Sequence, residues 1–191
     1  RQSEYTEAIK ELLQLLPRFV HRNDEYGVMI CNRNLSYAYY ASGDKDKTLY
    51  YDQRTVDLSI PLAAKLDLAY AYNNFGADLA EYGHFDSAAK YSYAAVRISK
   101  EINDSILISK TLGTLGEYFI AKKEFDSALI YLKESLPIAM LKSKMDHAFL
   151  LNDFSQIYLE KHDTDSAIYY AIKGAELSGQ LSFKSQLLRS Y

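Results

Sequence analysis

Apolar residues recur along this chain at intervals of three and four, in stripes broken by short polar turns at nearly even distances. Between residues 69 and 100, for example, Tyr72, Phe75 and Leu79 form one stripe. The break Tyr82-Gly83-His84 follows, and Phe85, Ala88, Tyr91 and Ala95 form a second. Spacing of this kind places the apolar side chains on one face of a helix. A polar turn of three residues is too short for anything but a reversal, so each pair of stripes predicts two antiparallel helices. Equivalent turns stand at Ser42-Gly43-Asp44, Lys122-Lys123-Glu124 and Lys161-His162-Asp163. An acidic residue after such a turn suits a helix start, where it caps free N–H groups and complements the helix dipole.

The pairs repeat. Phe85-Asp86-Ser87-Ala88 and Phe125-Asp126-Ser127-Ala128 are identical and forty residues apart, and Thr164-Asp165-Ser166-Ala167 follows thirty-nine later. Lys45-Asp46-Lys47-Thr48 and Thr6-Glu7-Ala8 continue the register backwards. Twelve residues before the Ala-type position lies another small residue: Ser36, Gly76, Gly116 and Ser155. Three after these come Tyr39, Leu79, Phe119 and Tyr158, and three after the Ala-type position come Tyr51, Tyr91, Tyr131 and Tyr170. Small residues at both marked positions let two helix backbones approach where they cross, since overpacking there costs ~1–3 kcal/mol. The reading is a single array over 1–191: the second helix of a partial repeat at 3–22, repeats near 29–68, 69–108, 109–147 and 148–181, and the start of a further helix at 182–191. The array is expected to be a piece of a longer protein, or to have its ends covered by another segment. Pro17 and Pro137, in matching positions of second helices, predict kinks or early helix ends.

Small residue, twelve residues, Ala, with aromatics before the first and after the second, resembles the tetratricopeptide repeat. The match is best over 69–100 and 109–136 and weakest in the first unit, where Thr48 and Lys45 replace Ala and Phe. The period of about forty exceeds the family's usual ~34 and is similar to the longer variant found in kinesin light chains, bacterial regulators and the sensor regions of some two-component kinases. The resemblance implies an all-α fold, a right-handed superhelical solenoid of antiparallel helix pairs. HEAT and armadillo repeats share the period but not the Gly/Ser-to-Ala spacing.

Composition narrows the chemistry. The formal net charge is -3, with 22 basic residues scattered among 25 acidic ones; this argues against direct nucleic-acid contact, which needs clustered Lys and Arg. One cysteine, Cys31, excludes an internal disulfide and a cysteine-based metal site, and its position early in a helix reads as a small buried residue. His21, His84, His147 and His162 form no ligand-spaced pair, so neither metal nor cofactor is expected. No phosphate-binding glycine loop or nucleophile elbow occurs, and no catalytic residue is assigned. No apolar run is long enough to span a bilayer, so no membrane contact by this segment is expected; the sequence does not separate a cytoplasmic from a periplasmic location. The 18 tyrosines, beside no tryptophan, fit helix–helix seams, where a large ring packs and its hydroxyl reaches water.

In the resembled family, first helices line a concave groove. By register the inward positions here are Ile30, Arg33, Tyr37 and Tyr40, then Tyr70, Asn73, Asn74 and Ala77. Lys110, Gly113, Thr114 and Glu117 follow, then Phe149, Asn152, Asp153 and Gln156. Arg33, Tyr37, Tyr70, Asn73, Asn74, Lys110, Glu117, Asn152 and Gln156 are the candidate peptide-binding residues, able to hydrogen-bond an extended backbone. Arg33, Asn74 and Lys110 also fall on three positions of the carboxylate clamp some relatives use, while Tyr37 and Thr114 depart from it. The expected function is a non-catalytic protein- or peptide-binding scaffold, the regulatory region of a bacterial signalling protein such as a two-component kinase or transcription regulator. The alternatives are a free-standing adaptor, a homodimer built through terminal helices, and, least favoured, an enzyme with a pocket in the solenoid.

Overall fold

The structure, a computed structural model, describes the backbone of residues 2–189 and the side chains of residues 5–181. Among these residues every regular element is an α-helix: α1 Gln2–His21, α2 Glu25–Ser42, α3 Lys45–Ser59, α4 Lys65–Glu81, α5 Phe85–Glu101, α6 Ser105–Ala121, α7 Phe125–Lys142, α8 Lys144–Glu160 and α9 Thr164–Arg189. The chain divides within α5 into two compact units, Arg1–Ile98 and Ser99–Tyr191.

Turn chemistry explains the helix boundaries. Asp24, Asp44 and Asp104 cap α2, α3 and α6 by accepting backbone N–H bonds from Gly27 at 2.8 Å, Lys47 at 3.1 Å and Leu107 at 3.0 Å. Asp163 does the same for Ser166 at the start of α9, at 3.1 Å. The residue in the left-handed region at the turns within repeats is Gly43 (φ 84°), Gly83 (φ 84°), Lys123 (φ 61°) and His162 (φ 61°). Glycine adopts this conformation without a Cβ clash; Lys and His do so at a cost of roughly 1–2 kcal/mol. Between repeats, Asn23 (φ 52°) and Asn103 (φ 53°) perform the same reversal just before the capping Asp24 and Asp104.

Neither internal proline ends its helix. α1 runs on from Pro17 to His21, and α7 from Pro137 to Lys142. Both prolines and the residues four before them, Leu13 and Lys133, are exposed, so water can satisfy the carbonyl that a proline leaves without a donor. α9 also runs further than the sequence suggests. The stretch from residue 182, expected to open a new helix, continues α9 to Arg189, straight through Ser178-Gly179. Residues 190 and 191 lie outside the described residues.

Within the first unit, α2 packs on α3 and α4 on α5 at the predicted crossings. Ser36 donates to the buried Asp52 of α3. A Cβ added to Gly76 would sit 2.6 Å from Ser92 Oγ and 3.0 Å from the Ser92 backbone N. In the second unit, a Cβ on Gly116 of α6 would lie 2.7 Å from Leu132 Cγ of α7. Ser155 of α8 donates to the Ala167 carbonyl of α9 at 2.9 Å. Glycine is thus required where the crossing helix brings Ser92 or Leu132 against the small position, and serine serves where its hydroxyl finds a partner in Asp52 or the Ala167 carbonyl.

The repeated aromatics form one ladder rung per pair. Tyr39 stacks on Tyr51 at 5.4 Å, Phe119 on Tyr131 at 5.3 Å and Tyr158 on Tyr170 at 5.5 Å, all nearly coplanar. In the second repeat Leu79 takes the first position, and Tyr91 instead packs on Phe75 and Tyr72, at 4.7 and 5.5 Å. The tyrosine count is therefore largely a packing matter, each ring pair contributing ~0.5–1.5 kcal/mol beyond its buried area. Cys31 is buried among these helices, and burial raises its thiol pKa.

Candidate functional site

In the first unit, the inward residues of α2 and α4 share one surface. Arg33 of α2 pairs with Asp67 of α4 at 3.6 Å, and the Tyr40 hydroxyl donates to Glu81 at 2.9 Å. That hydrogen bond and burial push the Tyr40 pKa up to about 12. Tyr37 stands out between these cross-links at 67% exposure. Tyr70 and Asn74 are half-buried. Asn73 is 3% exposed, with a long 3.4 Å hydrogen bond to Asn74 Oδ1; its own Oδ1 is buried without a protein partner. Arg33, proposed as a clamp residue, is thus partly engaged within the fold, and Asn73 is covered.

Beneath this surface lies a carboxyl pair that the periodicity did not single out. Asp52 of α3 and Asp78 of α4 lie beside each other; Ser36 donates to Asp52 Oδ1, and Asp52 Oδ2 is buried without a hydrogen-bond partner. Burial raises both pKa values, that of Asp78 to about 9 with the neighbouring Asp52 carboxyl adding to the effect. Two buried carboxyls in contact cannot both ionise cheaply, so the pair holds a proton near neutrality.

The second unit carries a pocket of about 300 Å³ on the face shared by α6 and α8. Lys110, Gly113, Thr114 and Glu117 line it from α6, at i, i+3, i+4 and i+7. Met145, Asp146, Phe149, Leu150 and Asp153 line it from α8, and Ser109 and Ser135 close its base. These two serines bond each other at 2.9 Å, and Ser135 Oγ also donates to the Ser109 carbonyl at 2.7 Å, fixing α7 to α6. Asn152 and Gln156 are exposed on α8 beside the pocket. Asp153 is 9% exposed, and its Oδ2 has no hydrogen-bond partner. Burial, reinforced by Glu117, raises its pKa to about 8.

Six of the eight inward positions read from the sequence for α6 and α8 line this one pocket: Lys110, Gly113, Thr114, Glu117, Phe149 and Asp153. Register set Asp153 on the inward face but carried no sign that its carboxylate would be buried. Among the described residues no group of three or more His, Cys, Asp or Glu could hold a metal ion, and no helix is long and apolar enough to cross a membrane.

No family model matches the sequence, and no curated protein is recognisably similar to it. Solved structures match closely in shape. A Rap protein complexed with Competence and Sporulation Factor superposes with a TM-score of 0.84 at 13% identity, covering 98% of this chain and 53% of that one. BtubC (BKLC) from P. vanneervenii superposes at 0.77 with 14% identity, covering 94% of this chain and 75% of that one. A putative kinesin light chain of Podosopora anserina, described by its TPR-like repeats, superposes at 0.73 with 13% identity, over 94% and 89%.

The fold is the TPR-like helical repeat. In a TPR-like frame, α2, α4, α6 and α8 are the first helices of four pairs and α1 is a second helix. The pocket of the second unit lies between two successive first helices. The chain spans about half the length of the Rap protein it matches.

Proposed function

We propose that this chain is a non-catalytic scaffold that binds a protein segment in extended conformation along its first-helix faces. The observation that carries the reading is the α6–α8 pocket, flanked by the exposed amides Asn152 and Gln156 and the exposed rings and thioethers of Phe149 and Met145. Side-chain amides can pair with both the N–H and C=O of an extended backbone, while apolar walls take alternate side chains. Tyr37 and Tyr40, both exposed on α2, offer the first unit a comparable aromatic surface. The likeness to a Rap protein complexed with Competence and Sporulation Factor supports a regulatory role, and the chain is proposed as the regulatory region of a bacterial signalling protein. The two serines at the base of the pocket, Ser109 and Ser135, are bonded to each other, which supports a binding rather than a catalytic reading.

Titration of the ¹⁵N-labelled protein with a pool of degenerate decapeptides tests this. Amide shifts concentrated on α6 and α8 around Lys110, Glu117, Asn152 and Gln156 are expected. Shifts confined to second helices, or none at millimolar pool, would refute the reading.

A further inference from the structure

A larger cavity of the second unit, about 440 Å³, lies where α7, α8 and α9 meet. It shares no lining residue with the α6–α8 pocket. Leu136 and Met140 of α7, Leu151 of α8 and Leu177 of α9 give it apolar walls, and α9 adds the rings of Tyr169 and Tyr170. Stacking on Phe154 at 5.1 Å and on Tyr158 at 5.5 Å fixes the Tyr170 ring, whereas Tyr169 and Met140 are exposed. One polar group enters this lining unpartnered. The His147 side chain, near the start of α8, is half-buried and makes no hydrogen bond or ion pair with another described residue. Neither of its ring nitrogens is sealed from solvent. Burial lowers its pKa, and the neutral ring offers one donor and one acceptor. The charges of the lining cancel, since Lys173 and Glu176 bond each other at 3.2 Å along α9.

The preceding repeat fills the same seam differently. Leu107, forty residues before His147, is fully buried. Lys100, forty before Met140, reaches Glu134, thirty-nine before Lys173, at 2.7 Å. There a leucine and an ion pair between α5 and α7 occupy the seam. Here an imidazole and a thioether stand in their places, beside open volume.

We infer that this cavity binds an uncharged small molecule made of an aromatic ring and one hydroxyl, a phenol in chemical class, its ring among Met140, Tyr169 and Tyr170 and its hydroxyl on the His147 imidazole. Each part of the lining selects one part of that ligand. Rings and a thioether favour an aromatic body. A lone neutral imidazole calls for a group that donates or accepts a hydrogen bond, and a hydroxyl does both. The paired Lys173 and Glu176 leave no net charge to attract an ion. The volume lies in the ~300–1,000 Å³ range of small-molecule sites, which points to a free compound rather than a partner's side chain. The site is formed largely by the second helices α7 and α9, and it stands or falls independently of the peptide-binding reading.

The test titrates two probes into the ¹⁵N-labelled chain at neutral pH: 4-propylphenol, and propylbenzene, which has the same ring and chain without the hydroxyl. With the phenol, saturable shifts are expected at the amides of Met140, His147, Leu151 and Leu177, together with a shifted ring-nitrogen resonance of His147. Propylbenzene leaves the imidazole unpaired and should bind about threefold or more weaker. His147→Leu, which installs the side chain that the preceding repeat carries, should erase the difference between the probes. His147→Gln, which keeps a donor and an acceptor, should retain it. Unchanged dispersion in the ¹H–¹⁵N spectra of both variants excludes unfolding as the cause. No saturable shift with the phenol, equal affinity for the two probes in the wild type, or undiminished discrimination in His147→Leu overturns the inference. N-acetyl-tyrosinamide is the remaining arm. Weaker binding than 4-propylphenol supports a free ligand, and binding as tight would assign the cavity to a partner's tyrosine and overturn that assignment.

Discussion

Replacing Gly116 with Ala adds one methyl group at the point where α6 crosses α7. Its carbon would fall 2.7 Å from Leu132 Cγ, well inside contact distance, and Leu132 is fully buried. Overpacking of this kind costs ~1–3 kcal/mol. Against it stands the gain from removing a mid-helix glycine, ~0.5–1 kcal/mol. The net expectation is a loss of about 1–2 kcal/mol. Gly113, three residues earlier in the same helix, supplies the control. A Cβ there meets only Leu150 Cδ2 at an ordinary 3.6 Å, so Gly113→Ala keeps the helix gain without the clash and should stabilise by up to ~1 kcal/mol. Urea denaturation followed by circular dichroism at 222 nm reads both variants, whose transitions should move in opposite directions. Adding Leu132→Ala to Gly116→Ala tests the cause, because the two changes share one contact and should couple favourably by ~1–3 kcal/mol in a double-mutant cycle. Equal stability of the two alanine variants, or additive behaviour in the cycle, would show that close approach at the small-residue position is not what holds the pair.

Other consequences follow from the same geometry. Lys123→Gly relieves the left-handed residue between α6 and α7 (φ 61°) and should raise stability by up to ~1 kcal/mol in the same denaturation assay; a decrease would contradict the turn argument. Phe119→Ala removes one partner of a stacked pair at 8% exposure and should cost ~3–5 kcal/mol, against near-neutral truncation of Ile130, which is 65% exposed. The folded-state pKa values of Asp153 and Asp78 are raised, to about 8 and about 9, so their contribution is complete below the unfolded value near 4 and is lost as pH rises through 8 to 9. Thermal stability should fall from pH 6 to pH 9. Asp153→Asn should flatten that fall by on the order of 2 kcal/mol, at about 1.4 kcal/mol per pH unit between 6 and 8; an unchanged profile would contradict the buried-acid assignment.

The helix pairs were legible in the sequence because packing and spacing say the same thing there. Gly76 and Gly116, the Ala88 and Ala128 boxes and the aromatic rungs each mark a contact that recurs, and recurrence at forty residues is visible without coordinates. What recurrence cannot show is what differs from repeat to repeat. Asn73 and Asn152 occupy one register position, yet Asn73 is covered and Asn152 exposed. Arg33 was read as a groove cation, and only the placement of Asp67 two helices along, on α4, reveals its ion pair. Asp52 and Asp78 meet through a tertiary contact between α3 and α4 that no local pattern encodes. Asp153 was placed on the inward face by register, but its burial, at 9% exposure, is a tertiary property that the repeat pattern does not carry. The further helix expected from residue 182 came from extending the repeat register, whereas α9 runs unbroken to Arg189.

The central claim is that the first-helix face binds a peptide and does not transform it. The most direct measurement uses a decapeptide selected by display against this chain, titrated calorimetrically into the wild type and into Asn152→Ala/Gln156→Ala, with the peptide recovered afterwards for mass spectrometry. Two backbone-directed amides at ~0.5–1.5 kcal/mol each predict a loss of about tenfold or more in affinity, with the peptide returned at unchanged mass. Affinity indifferent to the double substitution, or a peptide returned cleaved or modified, would contradict the account.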